Sequence, residues 1–493
     1  MTTLVTLLLD PPDGSEPDDV VVAAGDDRLT RVGLEHAARE LADALRDAGV
    51  GRGQPVAVML PNAPAAVVAL FGVWLAEAVH VPLNPRLADA EVARLVDAVR
   101  PAAVVTTDEH AARFPALPTL TVVPETVTYR IGTPGSPEQA PTTHDGDVAL
   151  IQLTSGTTGA AKPVLLTHSG VLGLMDGVLR KVRGADGARK KSSTPNLVPV
   201  SLSVWAGIYN VCFAFRVGAP VVLMERFEPG EFARLVAEHQ VTSVVLPPAA
   251  MAMLADDPAI TTLEPLRWVR SISAPLSPFL ARRFHDRFGT GILNSYGQTE
   301  LGGEVVGWNA ADWREWGTSK LGAVGRPHEG VDVKAVDGEL WLRAPSRSAG
   351  YADGRALDDR VTEDGWFRTG DVGHVDDDGF VWIEGRVSDQ INRGGMKIVP
   401  AEVEEVLAAV PGVREVAVAG VPDERLGEVP VAFVVPADAG ATVDDDALTA
   451  QCREHLSPWK VPARFVRVES LPRNDVGKIL RKDLVAEEWT ARA

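Results

Sequence analysis

Two hydrophobic rhythms alternate through the first hundred residues. Arg31–Ala48 repeats apolar positions at helical spacing, Pro55–Leu60 is an unbroken apolar run closed by Pro61, and Ala63–Ala76 is helical again. Val79–Leu83, Ala88–Val99 and Ala102–Thr106 follow as strand, helix and strand. Such alternation predicts strand–helix–strand units with parallel strands. Ala65–Leu83 is the longest apolar stretch, but Glu77 and His80 interrupt it. It reads as a buried helix running into a strand, not as a membrane span. Pro115–Asp147, rich in Pro, Thr and acidic residues, reads as a connector.

The rhythm resumes with strand Gly218–Leu223, helix Pro229–His239, strand Val241–Leu246, helix Ser277–Phe288 and strand Gly291–Asn294. From Gly322 to Ile383 it changes to short alternating strands with turns at Asp337-Gly338, Asp364-Gly365 and Asp378-Gly379, which predicts a hairpin-built β subdomain. After Arg386 comes a last unit: helix Pro400–Ala409, strands Val416–Val421 and Val429–Val435, helix Asp444–His455 and strand Arg464–Val468. The expected fold is α/β. A large domain of layered α/β sheets plus a β subdomain spans residues 1–386, and a small α+β domain spans 387–493.

A chain of 493 residues, 45% of them hydrophobic, is too long for one core and too apolar for disorder. Its net charge of −19 argues against general nucleic-acid affinity, which needs clustered Lys and Arg. Cys212 and Cys452 stand far apart without metal-ligand spacing, which argues against a disulfide framework or structural zinc. No basic segment precedes the apolar Leu4–Leu9, so no secretory signal is expected and a cytoplasmic protein is.

The densest chemistry lies in Gln152-Leu-Thr-Ser-Gly-Thr-Thr-Gly-Ala-Ala-Lys162. Gly156 and Gly159 let the backbone turn and approach a ligand, Thr154, Ser155, Thr157 and Thr158 add hydroxyls, and Lys162 adds charge. Successive N–H groups in such a turn cradle phosphate. The glycine spacing, with Pro163 after the lysine, is not that of a Walker A loop. Four further strings follow: Asn294-Ser-Tyr-Gly-Gln-Thr-Glu300, Gly365-Trp-Phe-Arg-Thr-Gly-Asp371, the run from Glu384-Gly-Arg386 to Glu404, and Arg473-Asn-Asp-Val-Gly-Lys-Ile-Leu-Arg481. Asp371 follows a glycine, where a carboxylate can accept from two ribose hydroxyls.

In this order the five strings closely resemble the adenylate-forming superfamily: acyl-CoA synthetases, peptide-synthetase adenylation domains and beetle luciferases. The resemblance runs from about Thr30 to Leu484. It implies ATP-dependent activation of a small-molecule carboxylic acid to an acyl-adenylate, then transfer to the thiol of coenzyme A. Thr154 to Lys162 would hold the β- and γ-phosphates, Glu300 would hold Mg²⁺, and Thr299 would bond the α-phosphate. Tyr296, with Gly297 beside it, would stack on adenine against Ala274, Pro275 and Leu276, while Asp371 and Arg386 would anchor the ribose. Lys478 would align the substrate carboxylate with the α-phosphate. A mobile C-terminal domain would then turn at Ser388, bringing Gly394 and Gly395 to the site to admit CoA. Candidate acyl-pocket residues are Ser203, Trp205, Tyr209, Ile272, Asn294, Leu301, Gly302 and Gly303, a mostly apolar set favouring an aromatic, alicyclic or medium-chain acid. Glu304 would be the partner for an ammonium group.

Departures from the family pattern stand at Pro163, where glycine is usual; in Leu197–Gly207, which lacks a gating histidine; at Ile272-Ser273-Ala274, bulkier than Gly-Gly-Ala; and at Ser388 and Asn392. They open a second reading, an enzyme with impaired adenylation that mainly converts a preformed acyl-AMP to its thioester. A third places a separate carrier protein where CoA would act, and a fourth is a catalytically silent adenylate-binding protein. Among the weaker signals, the basic stretch Arg180–Lys191 reads as a solvated loop or as a seat for the CoA 3′-phosphate, and His168 as core packing.

Overall fold

The apolar run Pro55–Met59 lies at the centre of a seven-stranded sheet, and all of its residues are buried. The computed structural model describes residues 3–123, 128–131, 139–154, 162–183, 191–348, 350–355, 357–437, 443–474 and 477–490. From edge to edge the sheet runs Thr128–Ile131, Thr119–Val123, Ala103–Thr106, Pro55–Met59, Val79–Pro82, Val148–Thr154 and Lys162–Thr167. The inner strands are parallel and the two edge strands antiparallel. A parallel sheet needs both faces covered, so its strands read as continuous apolar runs. Helix Pro64–Leu75, buried along almost its whole length, lies in this layer. Helix Arg31–Asp47, capped by the Thr30 side chain, packs across it. The crossing is close: a Cβ on Gly72 would come within 2.7 Å of Leu41 Cδ2.

Two expectations change here. Pro115–Asp147 is more than a connector, because it holds strands Thr119–Val123 and Thr128–Ile131. Residues before Thr30, not assigned from the pattern, form a hairpin of Val20–Ala24 and Asp27–Thr30. That hairpin joins Val221–Leu223 and Asn196–Val198 in a four-stranded sheet. The two hairpin strands are only five and four residues long, too short for a period to show, whereas Val221–Leu223 lies within the expected strand Gly218–Leu223.

The expected β subdomain is not a separate sheet. Strands Ser243–Leu246, Trp268–Ser271 and Gly291–Gln298 are parallel, and the path continues through Gly303–Gly307, Ala323–Pro327, Val381–Arg386, Phe367–Val375, Glu339–Arg343 and Asp332–Val336. Gly291–Gln298 makes the continuity. Its first half pairs in parallel with Trp268–Ser271 and its second half antiparallel with Gly303–Gly307. The glycine turns form as read, with Gly338, Gly365 and Gly379 all at positive φ.

From Ile391 onward the chain builds its own five-stranded sheet of Met396–Ile398, Ile391–Arg393, Gly427–Pro436, Val413–Asp423 and Arg464–Arg467. Helices Pro400–Ala408, Asp445–His455 and Arg481–Thr490 accompany it. Two apolar clusters drawn only from this segment give it a core. Among the described residues no helix is long and apolar enough to cross a membrane.

Candidate active site

The phosphate loop is carried by two adjacent strands, with Thr154 directly opposite Lys162. Ser155, Gly156, Thr157, Thr158 and Gly159 lie outside the described residues. Pro163 falls on the outermost strand of the seven-stranded sheet, a position that tolerates proline. Its carbonyl accepts from Ala352 N–H at 2.8 Å, and Val164 bridges Tyr351.

Tyr351 connects this hairpin to the carboxylate expected to hold the metal. Its ring lies beneath Lys162 Nζ, 5.9 Å from the centroid, and its hydroxyl donates to Glu300 Oε1 at 3.3 Å. Glu300 is buried, and Arg360 Nη1 donates to the same oxygen at 3.0 Å. The Thr299–Leu301 turn that carries Glu300 is pinned through its backbone: Ser348 N–H reaches the Glu300 carbonyl, Ser346 Oγ the Leu301 carbonyl and Trp205 Nε1 the Gly302 carbonyl. Gly297 is forced by this packing, since a Cβ there would fall 1.7 Å from the Gly303 carbonyl oxygen. Among the described residues no group of three or more His, Cys, Asp or Glu could enclose a metal. One hard carboxylate fits Mg²⁺, which completes its shell with phosphate and water.

The ribose candidates meet on neighbouring strands. Asp371 pairs in register with Arg386, whose Nε donates to Asp371 Oδ1 at 2.8 Å. Asp371 Oδ2 accepts from the Tyr296 hydroxyl and from Gln298 Nε2. Both carboxylate oxygens are therefore already engaged, and ribose hydroxyls would share them with protein donors. Burial and then the Asp371 charge push the Tyr296 phenol well above its ordinary range, so it stays a donor. Of the adenine-side candidates, Ala274 is half-buried and Pro275 exposed, whereas Leu276 turns into the core. Ser273 takes a left-handed φ of 72°, which accounts for glycine being usual there.

Lys478 is brought to the same place from the C-terminal unit. Burial first, then the Arg386 guanidinium, hold its ammonium below the ordinary lysine range, against the pull of Asp389 and Asp371. Asn474 fixes the turn, its Oδ1 accepting from Lys478 N–H at 2.8 Å. Gly477, at φ 81°, presses that turn against the large domain, where a Cβ would lie 3.0 Å from Ala249 Cβ. Gly394 and Gly395 instead form a hairpin tip whose bonds stay within their own unit, to the Leu426 carbonyl and the Asn392 side chain. Both have positive φ, so the turn requires glycine for its backbone alone. Ser388, the hinge candidate, is exposed and donates to Asp389.

The acyl-pocket candidates divide. Trp205 and Tyr209 lie edge to face at 5.7 Å, Tyr209 stacks on Phe213, and Gly303 faces the Trp205 indole. Ser203 and Ile272 are half-buried, while Leu301 is sealed in the core. Asn294 is buried, its carboxamide turned to the Ser295 and Ala323 backbone. Glu304 is not free for an ammonium group, because Arg270 and His328 both donate to Oε1. Burial raises its pKa, but Arg270 and then His328 override this and hold it at about 2. The Tyr209 hydroxyl is enclosed and has no hydrogen-bond partner among the described residues. Of the basic stretch, Arg180 pairs with Glu329 and Lys191 with Asp19, and residues 184–190 lie outside the described set. His168 is a core residue, its Nδ1 accepting from Leu4 N–H.

Sequence reasoning assigns no role to Tyr351, Arg360, Arg270 or His328. Each stands outside the five strings: Arg270 comes in on the strand Trp268–Ser271, Arg360 on the turn Asp358–Arg360, Tyr351 through its bridge to Val164, and His328 just past the strand Ala323–Pro327. Gln298 belongs to one of the strings, but its bond to Asp371 spans 73 residues.

Comparison with known proteins gives the fold and its site a class. Residues 13–352 match the model of the AMP-binding enzyme family, and residues 402–478 match that of the AMP-binding enzyme C-terminal domain. The protein is an AMP-forming acid–thiol ligase. The chain belongs to the AMP-binding enzyme family. It is 34% identical over 482 residues to a feruloyl-CoA synthase of an Amycolatopsis species, covering 95% of this chain and 96% of that one. It is 31% identical over 496 residues to a fatty acid–[acyl-carrier-protein] ligase, ScoC, of Streptomyces coeruleorubidus, covering 96% and 94%. The amide bond synthetase McbA of Marinactinospora thermotolerans has the same fold, with a TM-score of 0.83, 29% identity and 99% of each chain covered.

Proposed function

We propose that this ligase activates an apolar aromatic, alicyclic or medium-chain carboxylic acid with ATP and passes the acyl group to coenzyme A. The observation that carries the reading is Lys478 beside the Asp371–Arg386 pair. Burial and the Arg386 guanidinium together outweigh the pull of Asp389 and Asp371 on this half-buried lysine, so its ammonium gains from further anions. The substrate carboxylate and the ATP α-phosphate would supply them, and the lysine would draw the two together.

In the first half-reaction a carboxylate oxygen attacks the α-phosphorus, and the bond to the bridging oxygen breaks, releasing pyrophosphate. Lys162 and Thr154, with residues 155–161 between them, hold the leaving phosphates. Mg²⁺ bound through Glu300 would offset their charge. Thr299, half-buried at the start of the Glu300 turn, bonds the α-phosphate. In the second half-reaction the CoA sulfur attacks the acyl carbon and AMP leaves. For that step the C-terminal unit turns at Ser388, withdrawing Lys478 and presenting the Gly394–Gly395 tip.

The departures from the family pattern favour the complete reaction over an impaired adenylation. Pro163 sits on an edge strand, Ser273 accepts the backbone angle that glycine would, and Asn392 Oδ1 steadies the glycine tip at 3.0 Å. A carrier protein is the alternative acceptor, favoured by the likeness to the ScoC ligase. The test is incubation with Mg-ATP, a pool of carboxylic acids, and either CoA or a carrier protein bearing pantetheine. Acyl-AMP and acyl-CoA from an apolar acid support the reading. A thioester formed only on the carrier changes the acceptor. Turnover of synthetic acyl-AMP with no product from ATP overturns the adenylation half.

A further inference from the structure

Every nitrogen of the Arg360 guanidinium is committed to the protein. Nε donates to the Arg368 carbonyl at 3.1 Å, and Nη2 donates to the Thr369 carbonyl and to Gln298 Oε1, both at 2.9 Å. Nη1 donates to Glu300 Oε1 at 3.0 Å. The guanidinium lies 4.3 Å from the centroid of the Phe367 ring, which is fully buried. Two of its partners are backbone carbonyls of the strand that carries Asp371, so they cannot swing aside as a surface side chain can. The arginine belongs to the floor of the site and carries a permanent charge there.

That charge faces the carboxylate a divalent cation would use. The Glu300 side chain is only 10% exposed, and an unpaired carboxylate at that depth would be costly. Among the described residues Tyr351 and Arg360 bond to Glu300, and both bonds fall on Oε1. With Glu300 already balanced by Arg360, a free divalent cation meets a neutral ion pair instead of an open carboxylate.

We infer that Arg360 is a resident counter-cation for Glu300, so that the site takes up a divalent cation only together with nucleotide phosphates. The phosphates bring the additional negative charge that Glu300, once neutralised, does not offer. Metal and ATP then enter as one unit, and the nucleotide-free enzyme does not collect metal. Through Gln298, which accepts from Arg360 and donates to Asp371, the same guanidinium ties the metal carboxylate to the ribose carboxylate. This inference rests on reading Glu300 as the metal's protein ligand.

Mn²⁺ serves as the probe, titrated by electron paramagnetic resonance into the full chain with and without a non-hydrolysable ATP analogue. Without nucleotide, wild type is expected to bind Mn²⁺ weakly, and R360Q to bind it about tenfold more tightly or better, from the removal of one adjacent charge. R360M, which keeps the aliphatic stem on Phe367, is the second neutral variant should R360Q fold poorly. R360K keeps the charge and is expected to bind as weakly as wild type. The gain should vanish in the double variant E300Q/R360Q. No gain in either neutral variant, an equal gain in R360K, or a gain that survives E300Q overturns the inference. The parent reading fails separately: the E300Q protein would then bind Mn²⁺ in the presence of the ATP analogue as tightly as wild type does.

Discussion

Arg386 Nε donates to Asp371 Oδ1 at 2.8 Å across two directly paired strands, so the carboxylate proposed to hold ribose is built into the sheet before any nucleotide arrives. Tyr296 and Gln298 hold its second oxygen. Asp371→Asn keeps the shape but removes the charge and turns one acceptor into a donor. Because the Arg386 side chain is 35% exposed, the cost should be about 1–3 kcal/mol, less than for a fully buried pair. The KM for ATP should rise as well. Thermal melts and an ATP titration of acid-dependent pyrophosphate exchange measure the two effects. An unchanged KM with lowered stability would make the pair purely structural.

Lys478→Ala should separate the two half-reactions. The lysine is half-buried and its tie to the turn runs through the backbone, to Asn474, so stability should barely change. Adenylation should fall by about 10²–10³-fold, the usual cost of losing one charge-stabilising group at a reacting centre. Conversion of a synthetic acyl-AMP to its thioester should persist near the wild-type rate, because the proposed domain alternation withdraws the lysine for that step. Equal loss in both assays would contradict domain alternation.

What the sequence discloses about the site is its linear part. Thr154 and Lys162 close one hairpin, Asp371 and Arg386 sit in matched strings, and Lys478 belongs to a turn marked by Asn474 and Gly477. Arg360 is not legible, because an isolated arginine has no period and its partners come from separate strands and turns. The Glu304–Arg270–His328 group is half legible. Glu304 stands out as a charge, but only the pairing of Trp268–Ser271 with Gly291–Gln298 brings Arg270 to it. The βαβ rhythm discloses the parallel core, where strands are wholly apolar. It misses the strands Val20–Ala24, Asp27–Thr30, Thr119–Val123 and Thr128–Ile131, each only four or five residues long and two of them, Asp27–Thr30 and Thr128–Ile131, mixed in polarity.

Ser273→Gly should stabilise the protein. Ser273 holds a φ of 72° in the segment between the Trp268–Ser271 strand and the Ser277 cap, a region that costs a residue with a Cβ about 1 kcal/mol. The side chain is exposed, so little packing is lost. A rise of about 1–3 °C in Tm is expected. A fall would mean that the serine hydroxyl contributes more than the backbone angle costs.

His168 makes stability depend on pH in one direction. Its ring is buried beside Trp74, and Nδ1 accepts from Leu4 N–H, a bond that requires the nitrogen unprotonated. Burial lowers its pKa to about 4, against a small opposing pull from Asp147. An unfolded histidine takes up its proton near 6.5. Above that pH both states are neutral and the residue contributes no pH dependence. Between about 6.5 and 4 the unfolded chain binds the proton and the folded chain does not, so stability falls as pH is lowered through this window. The full loss is on the order of 3 kcal/mol. His168→Asn keeps an acceptor for Leu4 and removes the titration. Its stability at pH 7.5 should be somewhat lower than wild type, from lost ring packing, but its decline between pH 6.5 and 4 should be shallower by about that amount. Urea melts of both proteins across the window decide the matter. Parallel curves would mean that the acid sensitivity arises elsewhere, with His80, buried and held at about 3, the next group to replace.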